Sequence, residues 1–136
     1  IIITATGARA PVFDGSLVEP GTHINAVGSN LLSKSEIDLE TVRRASVIAV
    51  DSIEQSRMEA GDLLPAVERG VISWESVVEL GSIVAGRVRG RASEDDITLF
   101  KSNGIALEDI ATALSVYNRA RERGVGEEIS LWGADL

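Results

Sequence analysis

Short runs of β-branched and apolar residues alternate with longer segments of helical spacing, and this alternation restricts the fold more than any other feature of the chain. The runs are residues 1–6, 22–27, 47–50 and 97–100. Strands that alternate with helices are typical of parallel β-α units. The sequence therefore predicts an α/β protein with a parallel sheet of about four strands and helices on both faces.

Four further segments carry the spacing of helices. They are residues 36–45, 54–69 with a break near Gly61 and Pro65, 74–85, and 105–123. Ser33 and Glu36 have capping-box spacing at the start of the first, and Gly124 can end the last. Residues 86–96 are predicted to form a charged loop, and residues 129–132 a final short strand.

Composition excludes several classes of function. The formal net charge of −8 over 136 residues argues against a nucleic-acid partner. Cysteine is absent, which excludes disulfides and thiolate metal sites and favours a cytoplasmic location. No apolar run approaches the ~20 residues of a membrane-spanning helix, so we expect no membrane partner. Because the chain opens on Ile1-Ile2-Ile3, which is typical of the middle of a buried strand, we expect it to be part of a longer protein.

Small polar residues and glycines follow every predicted strand. They form clusters at residues 4–7, 28–30, 51–52 and 102–104. Parallel strands share one carboxyl edge, where ligands of open α/β sheets bind, and a helix that starts after Ser102 would add free N–H groups there. The same residue types are common in turns and caps, so each cluster alone also suits a structural role. Taken together, the clusters predict a ligand edge on which Thr6, Gly28 and Ser102 lie side by side.

Several catalytic and binding motifs are missing. The sequence contains no G-x-G-x-x-G and no P-loop, and its single histidine, His23, excludes H-E-x-x-H and the usual serine triad. A lone histidine beside a strand is more often a packed residue than a catalyst. The acidic run 94–96 is more typical of a solvated loop than of a cation site, so no metal is expected. Lys34 and Lys101 each suit either a surface charge or a place at the ligand edge.

Several longer segments agree with a known family pattern. They are H-I-N-A-V-G at 23–28, R-A-S-E-D-D-I-T-L-F-K-S-N-G-I-A-L-E-D at 91–109, T-A-T at 4–6 with Arg9, Pro11 and Val12, V-D-S at 50–52, and E-A-G-D-L at 59–63. In order and spacing they resemble the ornithine cyclodeaminase and mu-crystallin family over nearly the whole chain.

The resemblance implies the second half of a Rossmann-type domain that uses NAD or NADP. The family's glycine-rich phosphate loop lies upstream of the segment that begins here. The last ~20 of the 136 residues are candidates for a return to a substrate and dimerisation domain. Implied partners are the upstream part of the same protein, a second copy in a homodimer, and a small amino or imino acid.

The resemblance also assigns site residues. Those implied to bind the cofactor are Thr6, Val27, Gly28, Ser29, Asn30, Lys34 and Ser102, and those implied to face the substrate are Asn30 and Asn103. No residue is assigned as a catalyst.

One departure from the family affects the expected reaction. In the family that the sequence resembles, cyclodeaminases and some alanine dehydrogenases carry Asp where this chain has Asn30, and an amide cannot accept a proton at neutral pH. We therefore expect part of an NAD(P)-dependent oxidoreductase acting at a C–N bond, of the alanine dehydrogenase or ketimine reductase type. The alternatives are a cyclodeaminase-type ammonia lyase, a non-catalytic binding protein like mu-crystallin, or an inactive fragment.

Overall fold

The computed structural model describes residues 1–129. They belong to two compact units, Ile1–Gly104 and a second unit that begins at Ile105. The strands of the first unit are β1 (Ile2–Thr4), β2 (His23–Ala26), β3 (Val47–Val50), β4 (Val77–Glu79) and β5 (Thr98–Lys101). Its helices are α1 (Leu39–Arg44), α2 (Ile53–Glu59), α3 (Leu64–Glu68) and α4 (Leu80–Val84).

The strands form one sheet in the order β1-β2-β5-β3-β4, and every neighbouring pair is parallel. This confirms the α/β class and the parallel sheet. Because all strands run the same way, all carboxyl ends lie at one edge, as the sequence predicts.

One face of the sheet forms the main core. Ile24 is in register with Leu99, which in turn is in register with Ile48, and all three are at most 4% exposed. Val42 of α1 and Ala66 of α3 belong to the same buried cluster. Alternation along the strands places a continuous apolar row under these helices.

The opposite face is more open. His23, Asn25 and Phe100 lie on it, half-buried, and line a cavity of about 450 Å³ together with Leu80 and Ile83 of α4. Helices therefore contact both faces of the sheet, as the sequence predicts.

The predicted helix over residues 74–85 is wrong for its first half and confirmed only at α4. A 3-10 turn at Trp74–Ser76 is followed by β4 and then by the short helix α4. Val77 pairs with Ile48 of β3 and is 3% exposed. Long-range pairing thus prevails over helical spacing, and the sheet has five strands instead of four.

The predicted start of the helix at residues 36–45 is also wrong. The helix α1 begins at Leu39, and its N-cap is Asp38, whose carboxylate accepts a hydrogen bond from Thr41 N. Ser33 and Glu36 do not form a capping box, since the carboxylate of Glu36 bonds elsewhere (below). By contrast, residues 54–69 form two helices, α2 and α3, with the expected break between them.

The second unit contains α5 (Ala106–Arg123), which confirms the predicted helix. Glu108 and Asp109 lie in its first turn, and Gly124 ends it with a φ of 62°. None of its side chains is buried. The predicted strand at residues 129–132 lies outside the described residues except for Ile129. Within residues 1–129, no helix is both long enough and apolar enough to cross a membrane.

Candidate functional site at the carboxyl edge of the sheet

The three residues expected to lie side by side do follow adjacent strands. Thr6 comes after β1, Gly28 after β2 and Ser102 after β5. The strand pairing continues into the loops, because Val27 N donates to Thr4 O at 2.9 Å and Ser102 N donates to Ala26 O at 3.1 Å. The structure therefore brings these loops together at one edge.

Gly28 makes a backbone contact with the neighbouring loop. A Cβ atom at this position would lie 2.1 Å from Thr6 N and 2.3 Å from Thr6 O. Any side chain would push the two loops apart, so a glycine is required at this position by space alone.

The side chain of Glu36 joins the loop after β1 to the loop after β2. Its side chain is fully buried. The carboxylate accepts hydrogen bonds from Thr4 Oγ1 at 3.0 Å, Thr6 N at 2.5 Å and Gly28 N at 2.8 Å. Burial by itself raises the pKa of Glu36, but the hydrogen bonds from Thr6, Gly28 and Thr4 outweigh burial and hold the pKa below its ordinary value. Glu36 is thus an anion that ties the ends of β1 and β2 together.

Lys101 supports the edge from the next strand. Its side chain is fully buried and its Nζ lies 3.2 Å from Oδ2 of Asp62, which is also fully buried. The ammonium donates to Ala26 O at 3.3 Å, to Ser102 O at 3.0 Å and to Ser29 O. Lys101 is therefore not a surface charge: it lies beside the ligand edge, which is one of the two possibilities raised by the sequence, but its ammonium is buried within the protein.

Asp62 connects this ion pair to the segment around Glu36. Its Oδ1 accepts from Glu36 N at 2.7 Å, from Ser35 Oγ at 3.0 Å and from Ile37 N at 3.2 Å. A buried ion pair needs hydrogen bonds to its remaining polar atoms: these contacts satisfy Oδ1, while Oδ2 has the ion pair with Lys101 as its one interaction among the described residues.

Asp51, at the end of β3, holds the loop after β5. Its Oδ2 accepts from Ser102 Oγ at 2.9 Å, Asn103 N at 2.9 Å and Gly104 N at 2.7 Å. Glu36 and Asp51 together accept hydrogen bonds from four backbone N–H groups at the edge, those of Thr6, Gly28, Asn103 and Gly104. These four donors are therefore not free to bind an anionic ligand.

Other side chains remain available to a ligand. Thr6, Val27 and Asn30 are exposed at the edge. Asn103 is half-buried; its Nδ2 donates to Ser56 Oγ at 3.2 Å, while its Oδ1 is buried without a hydrogen-bond partner among the described residues. The edge therefore offers the exposed hydroxyl of Thr6 and the exposed amide of Asn30 beside the apolar side chain of Val27.

The two candidate serines are engaged within the protein. Ser29 is fully buried and its hydroxyl donates to Lys34 O at 2.9 Å. Ser102 donates to Asp51 and accepts from Gly104 N at 3.1 Å. Lys34 is half-buried, and the described part of the chain gives its ammonium no ion-pair partner within 4.0 Å.

His23 lies on the open face of the sheet and not at its carboxyl edge. Its Nδ1 is 2.7 Å from Thr98 Oγ1 and its Nε2 is 3.3 Å from Asn25 Oδ1. The acidic run 94–96 forms an exposed turn, in which Asp96 accepts hydrogen bonds from the backbone N–H of Ala92 and Ser93. Those two bonds hold the pKa of Asp96 below its ordinary value. Between Ile1 and Ile129, no cluster of three potential metal ligands occurs.

Sequence reasoning missed the charged residues beneath the edge. The sequence predicts Glu36 as a capping residue, places Asp51 in a polar cluster at the edge without a role, and gives Asp62 no role at all. A usable signal existed for Lys101, because it falls two residues after Leu99 on β5 and so must share the face that Leu99 buries.

The chain matches a known protein family over most of its length. The family described as "Ornithine cyclodeaminase/mu-crystallin family" matches residues 1–124. The chain is 39% identical over 133 residues to an alanine dehydrogenase of Archaeoglobus fulgidus, which covers 97% of this chain and 41% of that protein. It is 42% identical over 130 residues to a Delta(1)-pyrroline-2-carboxylate reductase of Bacillus cereus, covering 95% of this chain and 40% of that protein.

A solved structure agrees equally well. The Delta(1)-pyrroline-2-carboxylate reductase of Thermococcus litoralis, in complex with NADH and L-proline, superposes with a TM-score of 0.83 at 44% identity. The match covers 93% of this chain and 39% of that one. The chain thus spans about 40% of the length of these relatives. On sequence and fold together, the chain belongs to the ornithine cyclodeaminase/mu-crystallin family.

Proposed function

We propose that the protein containing this chain is an NAD(P)-dependent oxidoreductase. It would transfer a hydride between the nicotinamide and the Cα–N bond of a small amino or imino acid. The observation that carries the proposal is the carboxyl edge itself, where exposed Thr6, Val27 and Asn30 surround the tight contact at Gly28. The relatives named as an alanine dehydrogenase and as pyrroline-2-carboxylate reductases support the reaction class.

The residues of this edge fit the nicotinamide half of such a cofactor. A nicotinamide ring with its carboxamide and ribose needs an apolar surface and neutral hydrogen-bonding groups, which the exposed side chains of Val27, Thr6 and Asn30 provide. A pyrophosphate needs free N–H donors. At this edge the N–H groups of Thr6 and Gly28 already bond Glu36, so the phosphates would be held elsewhere.

The individual contacts follow from where each side chain lies. Thr6 and Asn30 would bond the cofactor directly, and Lys34 would reach a phosphate or ribose hydroxyl. Ser29 and Ser102 would act mainly through the loops that they brace, since their hydroxyls are engaged. Asn103 would face the substrate. When bound, the cofactor supplies the hydride chemistry; the protein binds, orients and excludes water.

Asn30 favours a dehydrogenase or reductase over a cyclodeaminase. Hydride transfer requires mainly orientation of the two reactants. A cyclodeaminase additionally requires a group that takes up a proton, and the Asn30 amide cannot do so. An ornithine cyclodeaminase-type lyase and a mu-crystallin-like binding protein are the alternatives that the experiment below separates.

The same proposal includes the remaining partners. We expect that the site is completed by sequence outside this chain and by a second copy in a homodimer. We also expect the last residues of the chain to return to a substrate and dimerisation domain. The exposed apolar residues of α5, which include Leu107, Ile110 and Leu114, support that expectation. The absence of cysteine supports a cytoplasmic location.

The test uses the full-length protein encoded around this chain. Oxidation of NADH and NADPH is followed by absorbance, with pyrroline-2-carboxylate and with pyruvate plus ammonia as the substrates. Ammonia release from ornithine is measured in parallel. Reduction of either imine with little ammonia release is expected. Robust ornithine turnover would identify a lyase, and cofactor binding without any turnover would identify a binding protein.

A further inference from the structure

The charged groups beneath the edge form a closed ring. The Glu36 carboxylate accepts from Gly28 N, the next residue Ser29 accepts from Lys101 Nζ through its carbonyl, Lys101 pairs with Asp62, and Asp62 accepts from Glu36 N. The side chains of Glu36, Asp62 and Lys101 are buried. The loop at residues 28–29 is therefore held from both sides by side chains that are shielded from solvent.

Glu36 is the member of this ring that also reaches the loop after β1. It accepts from Thr6 N and Thr4 Oγ1 in addition to Gly28 N. The N–H groups of Thr6 and Gly28 converge on one carboxylate, although their backbones are already in contact. Without the anion, two converging donors would be left unsatisfied, and the loops would separate to reach water.

The position of these loops determines where a ligand at the edge sits. Thr6 and Val27, which carry exposed side chains, flank the bonded N–H groups directly. A small displacement of a reacting ring reduces hydride transfer far more than it reduces binding, because transfer depends on sub-ångström orientation. Phosphates held elsewhere would continue to supply affinity.

We infer that Glu36 is a positioning residue which, through Thr6 and Gly28, sets the place of the nicotinamide relative to the substrate. The inference rests on the proposed function. Glu36 itself contacts neither cofactor nor substrate, and Asp62 and Lys101 hold it in place.

The first measurement compares Glu36→Gln with Asp38→Asn in the full-length protein. Asp38 is a matched control, because it is a carboxylate two residues away that accepts backbone N–H groups of Gly15 and Thr41 and touches neither edge loop. We expect E36Q to slow single-turnover hydride transfer by about 10- to 100-fold, with cofactor Kd changed only a few-fold. D38N should leave both close to wild type.

A second measurement needs no cofactor. Amide hydrogen exchange, followed by NMR, reports whether each N–H is held. In E36Q the amides of Thr6 and Gly28 should exchange at least about tenfold faster than in wild type. In D38N the amides of Gly15 and Thr41 should exchange faster, while those of Thr6 and Gly28 should stay as protected as in wild type.

The outcomes separate the inference from the proposed function. Unchanged protection of Thr6 and Gly28 in E36Q would overturn the inference, and so would faster exchange with wild-type hydride transfer. A wild-type protein that binds no nicotinamide cofactor would overturn the proposed function, and the exchange data would then decide alone whether Glu36 holds the loops. If E36Q does not fold, Thr4→Val replaces it in both measurements, since this change removes only the hydroxyl that donates to Glu36. Thr4→Val should slow hydride transfer and speed amide exchange at Thr6 and Gly28, each by a smaller factor than E36Q.

Discussion

The Nζ atom of Lys101 lies 3.2 Å from Oδ2 of Asp62, and neither side chain is exposed to solvent. Removing one partner of such a pair leaves an uncompensated buried charge, which costs about 3–5 kcal/mol. Lys101→Met should therefore lower the free energy of unfolding by about that amount, as measured by urea denaturation. Glu40→Gln is the control, because it breaks the exposed ion pair with Arg43 and should leave the urea midpoint unchanged. A K101M midpoint equal to that of wild type would show that the pair is not buried in solution.

Replacement of Gly28 tests the contact between the first two loops. A Cβ atom there would lie 2.1 Å from Thr6 N, so Gly28→Ala should destabilise the protein by about 1–3 kcal/mol through overpacking. Gly7→Ala provides the matched control at the same edge, since its Cβ would meet no atom within 4 Å. Equal urea midpoints for the two variants would contradict the backbone contact.

Acid should weaken the edge through Glu36. The folded-state pKa of Glu36 lies below its ordinary value of 4.5, so its stabilising contribution is complete above that value and is lost as the pH falls through the folded pKa. Asp38 and Asp96 also have lowered pKa values and titrate nearby, so the difference between wild type and E36Q isolates Glu36. Unfolding free energies measured from pH 7 down to pH 3 should show that difference shrinking below about pH 4.5. If the difference in unfolding free energy between wild type and E36Q grew on acidification instead, the pKa of Glu36 would not be lowered by folding.

The sequence alone predicts the edge but not its support. Strand order and direction bring Thr6, Gly28 and Ser102 together, and alternation of apolar runs with helices was enough to expect that. The strand β4 escaped prediction because Val77 gains its place only from pairing with Ile48, which is 29 positions away along the chain. The spacing of neighbouring residues does not reveal a pairing partner so far away in the sequence.

The carboxylates beneath the edge were missed for a different reason. Glu36 lies in a polar stretch with capping-box spacing, and a local rule explains it without any long-range contact. Its true partners at Thr4 and Thr6 are 32 and 30 residues away. Burial of an ionised group depends on every donor around it, and no single-sequence pattern records those donors.

Lys34 tests the cofactor contacts of the proposed function. Its ammonium has no ion-pair partner among residues 1–129, so it is available to a phosphate or ribose hydroxyl. Loss of one such contact costs about 0.5–1.5 kcal/mol, and more for a charged donor. Lys34→Ala in the full-length protein should therefore weaken cofactor affinity several-fold, as measured by NADH fluorescence. Thr6→Ala should weaken cofactor affinity as well. Ser102→Ala should weaken it indirectly, because it removes the hydrogen bond to Asp51 that holds the loop after β5. Unchanged affinity in all three variants would assign these residues to loop structure alone.

The 136-residue chain by itself should bind nicotinamide cofactor weakly and should self-associate. β1 is the edge strand of the sheet, and its Ile3 is 67% exposed, so an apolar strand edge is open to pairing with another chain. The N–H groups of Thr6 and Gly28 are not free to bind a pyrophosphate, because the carboxylate of Glu36 accepts both. Light scattering after gel filtration should give a mass above the 14.4 kDa of one chain, and NADH titration should not saturate at micromolar concentrations. The full-length protein, titrated alongside, should saturate. Saturable micromolar binding to a monomeric chain would show that these 136 residues are enough to hold the cofactor.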